Sequence, residues 1–141
     1  EWEYAARGEA GRRFPWGLDA PECSEVVLAR NKRLPCDGLK KTTVDVATSS
    51  LDVTPQGIYD LGGNVSEWVM DSFSPRYAPC EGGCRDPQVM EPLGTAPDVR
   101  MLRGGSYLVV AAFARGASRS RREHDDPFQD VGFRCARPVR R

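Results

Sequence analysis

Hydrophobic and polar positions along this chain rarely keep one period for long. At the start, "EWEYAARGEAG" puts Trp2, Ala5 and Ala6 where one helical face can carry them, and Gly8 is a natural terminator. "RRFPWG" then reads as a turn with two aromatics. Residues 17–56 are polar with little periodicity, which predicts long loops and short strands. Within them "CDGLKKTTVDV" holds an Asp-Gly turn and a short β-branched run. "VSEWVM" has strand composition, and the Pro- and Gly-rich residues 71–98 predict an irregular excursion. "VRMLRGGSYLVVAAF" is the strongest strand signal, broken by Gly104 and Gly105. Such a pair often marks a bulge or a close backbone approach. "RGASRSRRE" fits a strand with arginines on one side, and "DVGFRCARPV" a final strand. The pattern predicts an α+β chain, loop-rich, with little regular secondary structure. Disulfides, metal ions or buried polar networks are expected to help hold it.

The chain has 141 residues, the size of one domain (residues 1–141), with 40% hydrophobic residues. Lys plus Arg is 20 and Asp plus Glu is 20, so the net charge is zero. That balance argues against broad binding to nucleic acid or anionic membrane. No apolar run is long enough to span a bilayer. The chain opens on Glu1 without a methionine, and is expected to be a piece of a longer polypeptide. Its five cysteines are Cys23, Cys36, Cys80, Cys84 and Cys135, so at least one lacks a partner within the chain. Cys80 and Cys84 sit in "PCEGGC", which fits a local disulfide or two free thiols. Zinc would need two more ligands, and His124 is the only histidine.

Candidate chemistry concentrates in "GIYDLGGNVSEW", residues 57–68. Asp60 and Glu67 offer carboxylates seven positions apart. Gly62 and Gly63 permit dihedral angles that turn the carbonyls of Gly63 and Val65 inward. Mixed carboxylate and carbonyl oxygens suit calcium, although the spacing is not that of an EF-hand. The plain alternative is an Asx turn at Asp60 beside a solvated Glu67.

The chain resembles the formylglycine-generating-enzyme family, also called the sulfatase-modifying-factor family. "EWEYAARG", "FPWG", "GIYDLGGNVSEW", "MLRGGSY", "RGASRSRR" and "VGFRCAR" follow one another in that family's order along almost the full chain. The resemblance implies a variant of the C-type-lectin-like fold with structural calcium, of which this chain would be the C-terminal portion. It implies one calcium held by Asp60 and Glu67 side chains and by Gly63 and Val65 carbonyls. A second would fall to Asn31 and Lys32 with Asp37 and Leu39, where Leu39 replaces an aromatic. Cys135 matches a family cysteine that often pairs with the missing N-terminal part, so a free thiol or a bond to another segment is expected.

Catalytic members of the family resemble each other in two cysteines, separated by four residues, just after "RGGSY", which bind copper through soft thiolates. The matching positions here are Val109 and Ala114, and neither is a metal ligand or a nucleophile. Cys80 and Cys84 lie in a different loop, so copper is not expected. An iron-dependent branch needs two histidines and a carboxylate, and His124 alone cannot supply them. His124 reads as a solvated or ion-paired loop residue. Trp2, Trp16, Trp68, Tyr107 and Phe133 are expected in the core. Arg103 and Arg134 are expected to bond loop carbonyls through their guanidinium forks. Ser106 could face a cleft, but no Ser-His-Asp set accompanies it. Arg115, Arg119, Arg121 and Arg122 could rim an anion-binding cleft. The preferred reading is a solvated strand face balanced by Glu123, Asp125, Asp126 and Asp130. The expected function is a non-catalytic binding or regulatory module with structural calcium, whose ligand is a peptide, a protein or a small molecule. The alternatives are a copper-dependent oxidase of protein cysteine and an iron-dependent sulfoxide-synthase relative with its iron site outside the chain.

Overall fold

A computed structural model describes residues 1–21, 25–29, 42–77, 87–89, 99–123, 125 and 127–137. The chain enters through α1, Trp2–Arg7. Glu3 in its first turn and Arg7 in its last complement the helix dipole and pair at 2.6 Å. Gly8, at φ 58°, ends the helix where the sequence predicts. "FPWG" closes as a tight turn in which Phe14 and Gly17 exchange backbone bonds of 2.8 and 3.1 Å.

Among the described residues four strands form one sheet in the order β3-β2-β1-β4. They are β1 (Ser66–Ser72), β2 (Val99–Arg103), β3 (Ser120–Glu123) and β4 (Val131–Phe133). β1 and β2 are antiparallel, as are β2 and β3, whereas β4 runs parallel to β1. Glu67 sits opposite both Arg103 of β2 and Gly132 of β4, so the end of the acidic loop is held in the middle of the sheet.

Two expectations need correction. The strand signal of "VRMLRGGSYLVVAAF" is real only up to Arg103; residues 104–117 are turns and bends. Their apolar residues serve a loop-built core instead, where Ala114 packs with Phe14, Val26 and Leu28, and Trp16, Leu51 and Ala111 lie against it. Phe133 is 76% exposed, because β4 is an edge strand of three residues. Tyr107 is buried as expected, and Trp2, Trp16 and Trp68 are half-buried.

The glycine pair after β2 makes the close approach that its sequence suggests. Gly104 adopts φ 77°. Gly105 donates to the Gly62 carbonyl at 3.2 Å, and a Cβ on Gly105 would collide with that same oxygen. Tyr107 donates to the Asn64 carbonyl, Asn64 to Val27, and Ala29 to Val109. Segments 26–29, 62–64 and 105–109 are thus laced together by backbone bonds, and the lacing fixes the acidic loop. No helix among the described residues is long and apolar enough to cross a membrane.

Candidate functional site

The loop Gly57–Trp68 carries a run of unusual backbone angles. Gly57 has φ 77°, Asp60 φ 57° and Asn64 φ 67°. Asp and Asn tolerate that region better than most side chains, and each is held in it by hydrogen bonds. Asn64 donates to the Val44 carbonyl and accepts from the Val44 N–H at 3.1 Å. Asp60 donates its N–H to the Asp52 carbonyl at 2.9 Å, and its Oδ2 accepts from the Ala47 N–H at 2.7 Å. Oδ1 of Asp60 is buried and has no hydrogen-bond partner. A buried carboxylate oxygen without a donor costs free energy, so its presence asks for a cation or a water.

Glu67 is not the solvated side chain of the plain alternative. It is 4% exposed. Trp2 Nε1 donates to Oε2 at 2.7 Å, and Arg134 Nε lies 2.8 Å from both carboxylate oxygens. The same guanidinium reaches past Glu67 to the carbonyls of Tyr59 (3.0 Å) and Asp60 (3.3 Å). Arg134 therefore fastens loop carbonyls, as its fork suggests. It also puts a positive charge against the oxygens of the acidic loop.

Asp52 is a site residue that sequence reasoning missed. It is 1% exposed, and both of its oxygens accept from the Gly62 N–H, at 3.0 and 2.9 Å. Burial pushes its carboxyl up to about 6, and the neighbouring Asp60 adds to the rise against the backbone donors. The available signal was an Asp between two apolar residues in "LDV", eight positions before Asp60.

Asp60 and Glu67 are thus brought to one loop and bridged by Arg134. The orphaned Asp60 Oδ1 is a free acceptor of the kind a hard cation takes, whereas each Glu67 oxygen already accepts two contacts from Trp2 and Arg134, so an ion would have to share them with the guanidinium. Among the described residues no three His, Cys, Asp or Glu side chains gather as a metal site. Any ion here would depend on backbone oxygens such as those of Gly63 and Val65. Asn31, Lys32, Asp37 and Leu39, the second expected calcium set, lie outside the described residues, as do Cys80, Cys84 and His124.

Elsewhere, Arg103 donates to the carbonyls of Gly116 and Ser118 and to Glu3, and its guanidinium lies over the Trp2 ring. Burial alone would raise the Glu3 carboxyl, but Arg7, Arg103 and Tyr77 together hold it below its ordinary value. Ser106 does not face a cleft. It is fully buried and donates to Asp130 Oδ2 at 2.7 Å. The basic run divides: Arg119 and Arg121 lie over Phe73, Arg119 also over Tyr77, and Arg122 over Phe128. Arg115 points elsewhere, into a cleft with Arg7 and Arg13. Cys135 is an exposed free thiol.

The chain is 34% identical to the formylglycine-generating enzyme of Streptomyces coelicolor, over 96% of this chain and 44% of that one. It is 30% identical to the mouse (Mus musculus) protein named inactive C-alpha-formylglycine-generating enzyme 2, over 96% of this chain and 40% of that one. It therefore spans less than half the length of these curated relatives. Among solved structures it shares its fold with PvdO from Pseudomonas aeruginosa, at a TM-score of 0.69 and 24% identity, over 93% of this chain and 47% of that one. The model of the sulfatase-modifying factor enzyme 1-like domain matches residues 1–139, and the chain belongs to that family.

Proposed function

We propose that this chain is a non-catalytic binding or regulatory module on a formylglycine-generating-enzyme scaffold of the C-type-lectin-like kind, steadied by calcium. The observation that carries the reading is the chemistry at Val109 and Ala114. These positions match the family's copper-binding cysteines, yet Ala114 is fully buried in an apolar cluster with Phe14, Val26 and Leu28. Neither side chain offers a thiolate, so these two positions give copper(I) nothing to bind. The mouse relative named as inactive supports the idea that the scaffold is kept without the oxidase activity. The scaffold's work is then recognition of a peptide, a protein or a small molecule. The opposite reading, a copper-dependent oxidase of protein cysteine, is favoured by the names of several relatives, the Streptomyces enzyme among them.

Asp60 and Glu67, with the carbonyls of Gly63 and Val65, would hold the calcium. The ion would supply charge neutralisation to two buried carboxylates and tie the loop to β1. Elemental analysis of the full protein, purified without chelator, tests both halves. Calcium without copper or iron is the expected result; stoichiometric copper or iron would overturn the non-catalytic reading. The Asp60→Ala/Glu67→Ala variant should melt lower than the parent and lose its response to chelator. A variant that responds to calcium as the parent does would remove these residues from the site.

A further inference from the structure

Three separated segments converge on one cleft, and none of its described lining residues belongs to the acidic loop. The end of α1 contributes Arg7, the turn before "FPWG" contributes Arg13, and the turn after Ala114 contributes Arg115. Gly116 donates to the Arg13 carbonyl at 2.9 Å, and its lack of a side chain lets Arg7 lie flat against it, where a Cβ would overlap Arg7 Cγ. Between them is a cleft of about 430 Å³, which Leu18 and Ser118 also line.

The three arginines are not equally engaged. Arg7 is spent on the fold: Nε and Nη2 donate to the carbonyls of Arg12 and Gly11, and Nη1 pairs with Glu3. Arg13 lies over the Phe14 ring, and Arg115 donates from Nε to the Ala112 carbonyl. Among the described residues neither Arg13 nor Arg115 is paired with a carboxylate. Among the described residues that line the cleft none is acidic. A protein of zero net charge has therefore lined one concave place with three arginines, two of them without an ion-pair partner among the described residues. Exposed arginines of a neutral protein are ordinarily dispersed or paired, because like charges repel.

We infer that this cleft binds a phosphate monoester. One guanidinium fork satisfies a carboxylate; two unpaired forks match the charge of a dianion with three acceptor oxygens, while Arg7, paired with Glu3, shapes the cleft wall. The cleft volume suits a phosphate with a small organic body, for which Leu18 offers an apolar wall. That body can be a free small molecule or a phosphoserine side chain, since the recognised group is the same. The site stands apart from the calcium loop and is independent of whether the scaffold is catalytic.

Calorimetric titration of the full chain at low ionic strength tests the inference. The probes are inorganic phosphate, O-phosphoserine and a capped phosphoserine heptapeptide. Saturable binding is expected, weakened about tenfold or more in Arg13→Gln/Arg115→Gln, which corresponds to about 1.4 kcal/mol or more. Arg13→Lys/Arg115→Lys keeps the charge and removes the forks, and should fall between the two. It also carries the test if the glutamine pair folds poorly. The control is Arg76→Gln/Arg121→Gln, which removes equal charge outside the cleft and should bind as the parent does. Tighter binding of the heptapeptide than of O-phosphoserine identifies a phosphopeptide as the source; the reverse identifies a small molecule. No saturable binding of any probe, or equal weakening in the cleft and control pairs, overturns the proposal.

Discussion

The Arg134 guanidinium clasps the Glu67 carboxylate, with Nε 2.8 Å from both of its oxygens. One partner is nearly closed to solvent and the other is not: the side chains are 5% and 37% exposed. Because the arginine also reaches the carbonyls of Tyr59 and Asp60, it serves the acidic loop as an internal cation. Removing one partner of a fully buried pair costs about 3–5 kcal/mol. Solvent access to Arg134 lowers the expected loss for Arg134→Ala to about 1–2 kcal/mol. If calcium uses the same oxygens, it should recover more stability in this variant than in the parent. Thermal melts in chelator and in excess calcium check this. An equal calcium response in both proteins would mean that ion and guanidinium do not share the loop.

Trp2 fastens α1 to the same carboxylate. Its Nε1 donates to Glu67 Oε2 at 2.7 Å, while its ring lies under Arg103. Trp2→Phe keeps an aromatic ring for Arg103 and deletes the donor. The expected loss is about 1.5–3 kcal/mol, as for other hydrogen bonds to charged groups. Denaturant unfolding measures it. Combining Trp2→Phe with Glu67→Gln should give less than the sum of the two losses, because the residues are in direct contact.

Asp52 gives the protein a pH dependence of known sign. An unfolded Asp titrates near 3.8, whereas burial raises the Asp52 carboxyl to about 6. Between those values the folded state binds more protons than the unfolded one. Stability therefore falls as pH rises through that window and is flat above it, a swing of about 3 kcal/mol. Glu3 works in the opposite direction: its lowered pKa adds stability at higher pH that is lost in acid. The comparison that isolates Asp52 is with Asp52→Asn, whose amide oxygen can still accept from the Gly62 N–H. Chemical denaturation across the window, in chelator, should give a stability difference between the two proteins that grows towards neutral pH. A constant difference would mean that Asp52 does not titrate there.

What could be read from the sequence was chiefly what short-range chemistry decides. Gly8 ends α1, "FPWG" turns, and "VSEWVM" and "DVGFRCARPV" each hold a strand, because each signal acts within a few residues. The loop around Asp60 was legible only in part: the unusual dihedrals expected at Gly62 and Gly63 fall instead on Gly57, Asp60 and Asn64, while Gly62 and Gly63 leave room for Trp16 and the Val27 carbonyl, contacts that local pattern does not reveal. Ala111 and Ala114 were misread as strand because an apolar run looks alike whether its partner is a ladder or a packed loop. The bonds of Glu67 to Trp2 and Arg134 span many tens of residues, and Asp52 is buried against a loop ten residues further on. Pattern reading does not reach those contacts. Arg103 and Arg134 were exceptions, since a fork with several donors seeks carbonyls wherever the loops bring them.

Two glycines separate backbone freedom from close packing. Gly57 has φ 77° but open space around it, so Gly57→Ala should cost only the strain of that conformation, about 1–2 kcal/mol. Gly105 has no unusual φ, yet an added Cβ would meet the Gly62 carbonyl and Leu28 Cδ2. The carbonyl cannot easily retreat, because both Asp52 oxygens hold the Gly62 N–H and a Cβ on Gly62 itself would meet Trp16. Gly105→Ala should therefore cost more than about 4 kcal/mol, in the range reserved for a disrupted core. Its effect should spread to the acidic loop, since Gly105 and Tyr107 both bond to it. Hydrogen exchange reads this directly: the amides of residues 62–67 should lose protection in Gly105→Ala and keep it in Gly57→Ala. Equal protection in the two variants would mean that the lacing of segments 62–64 and 105–109 does not hold the loop.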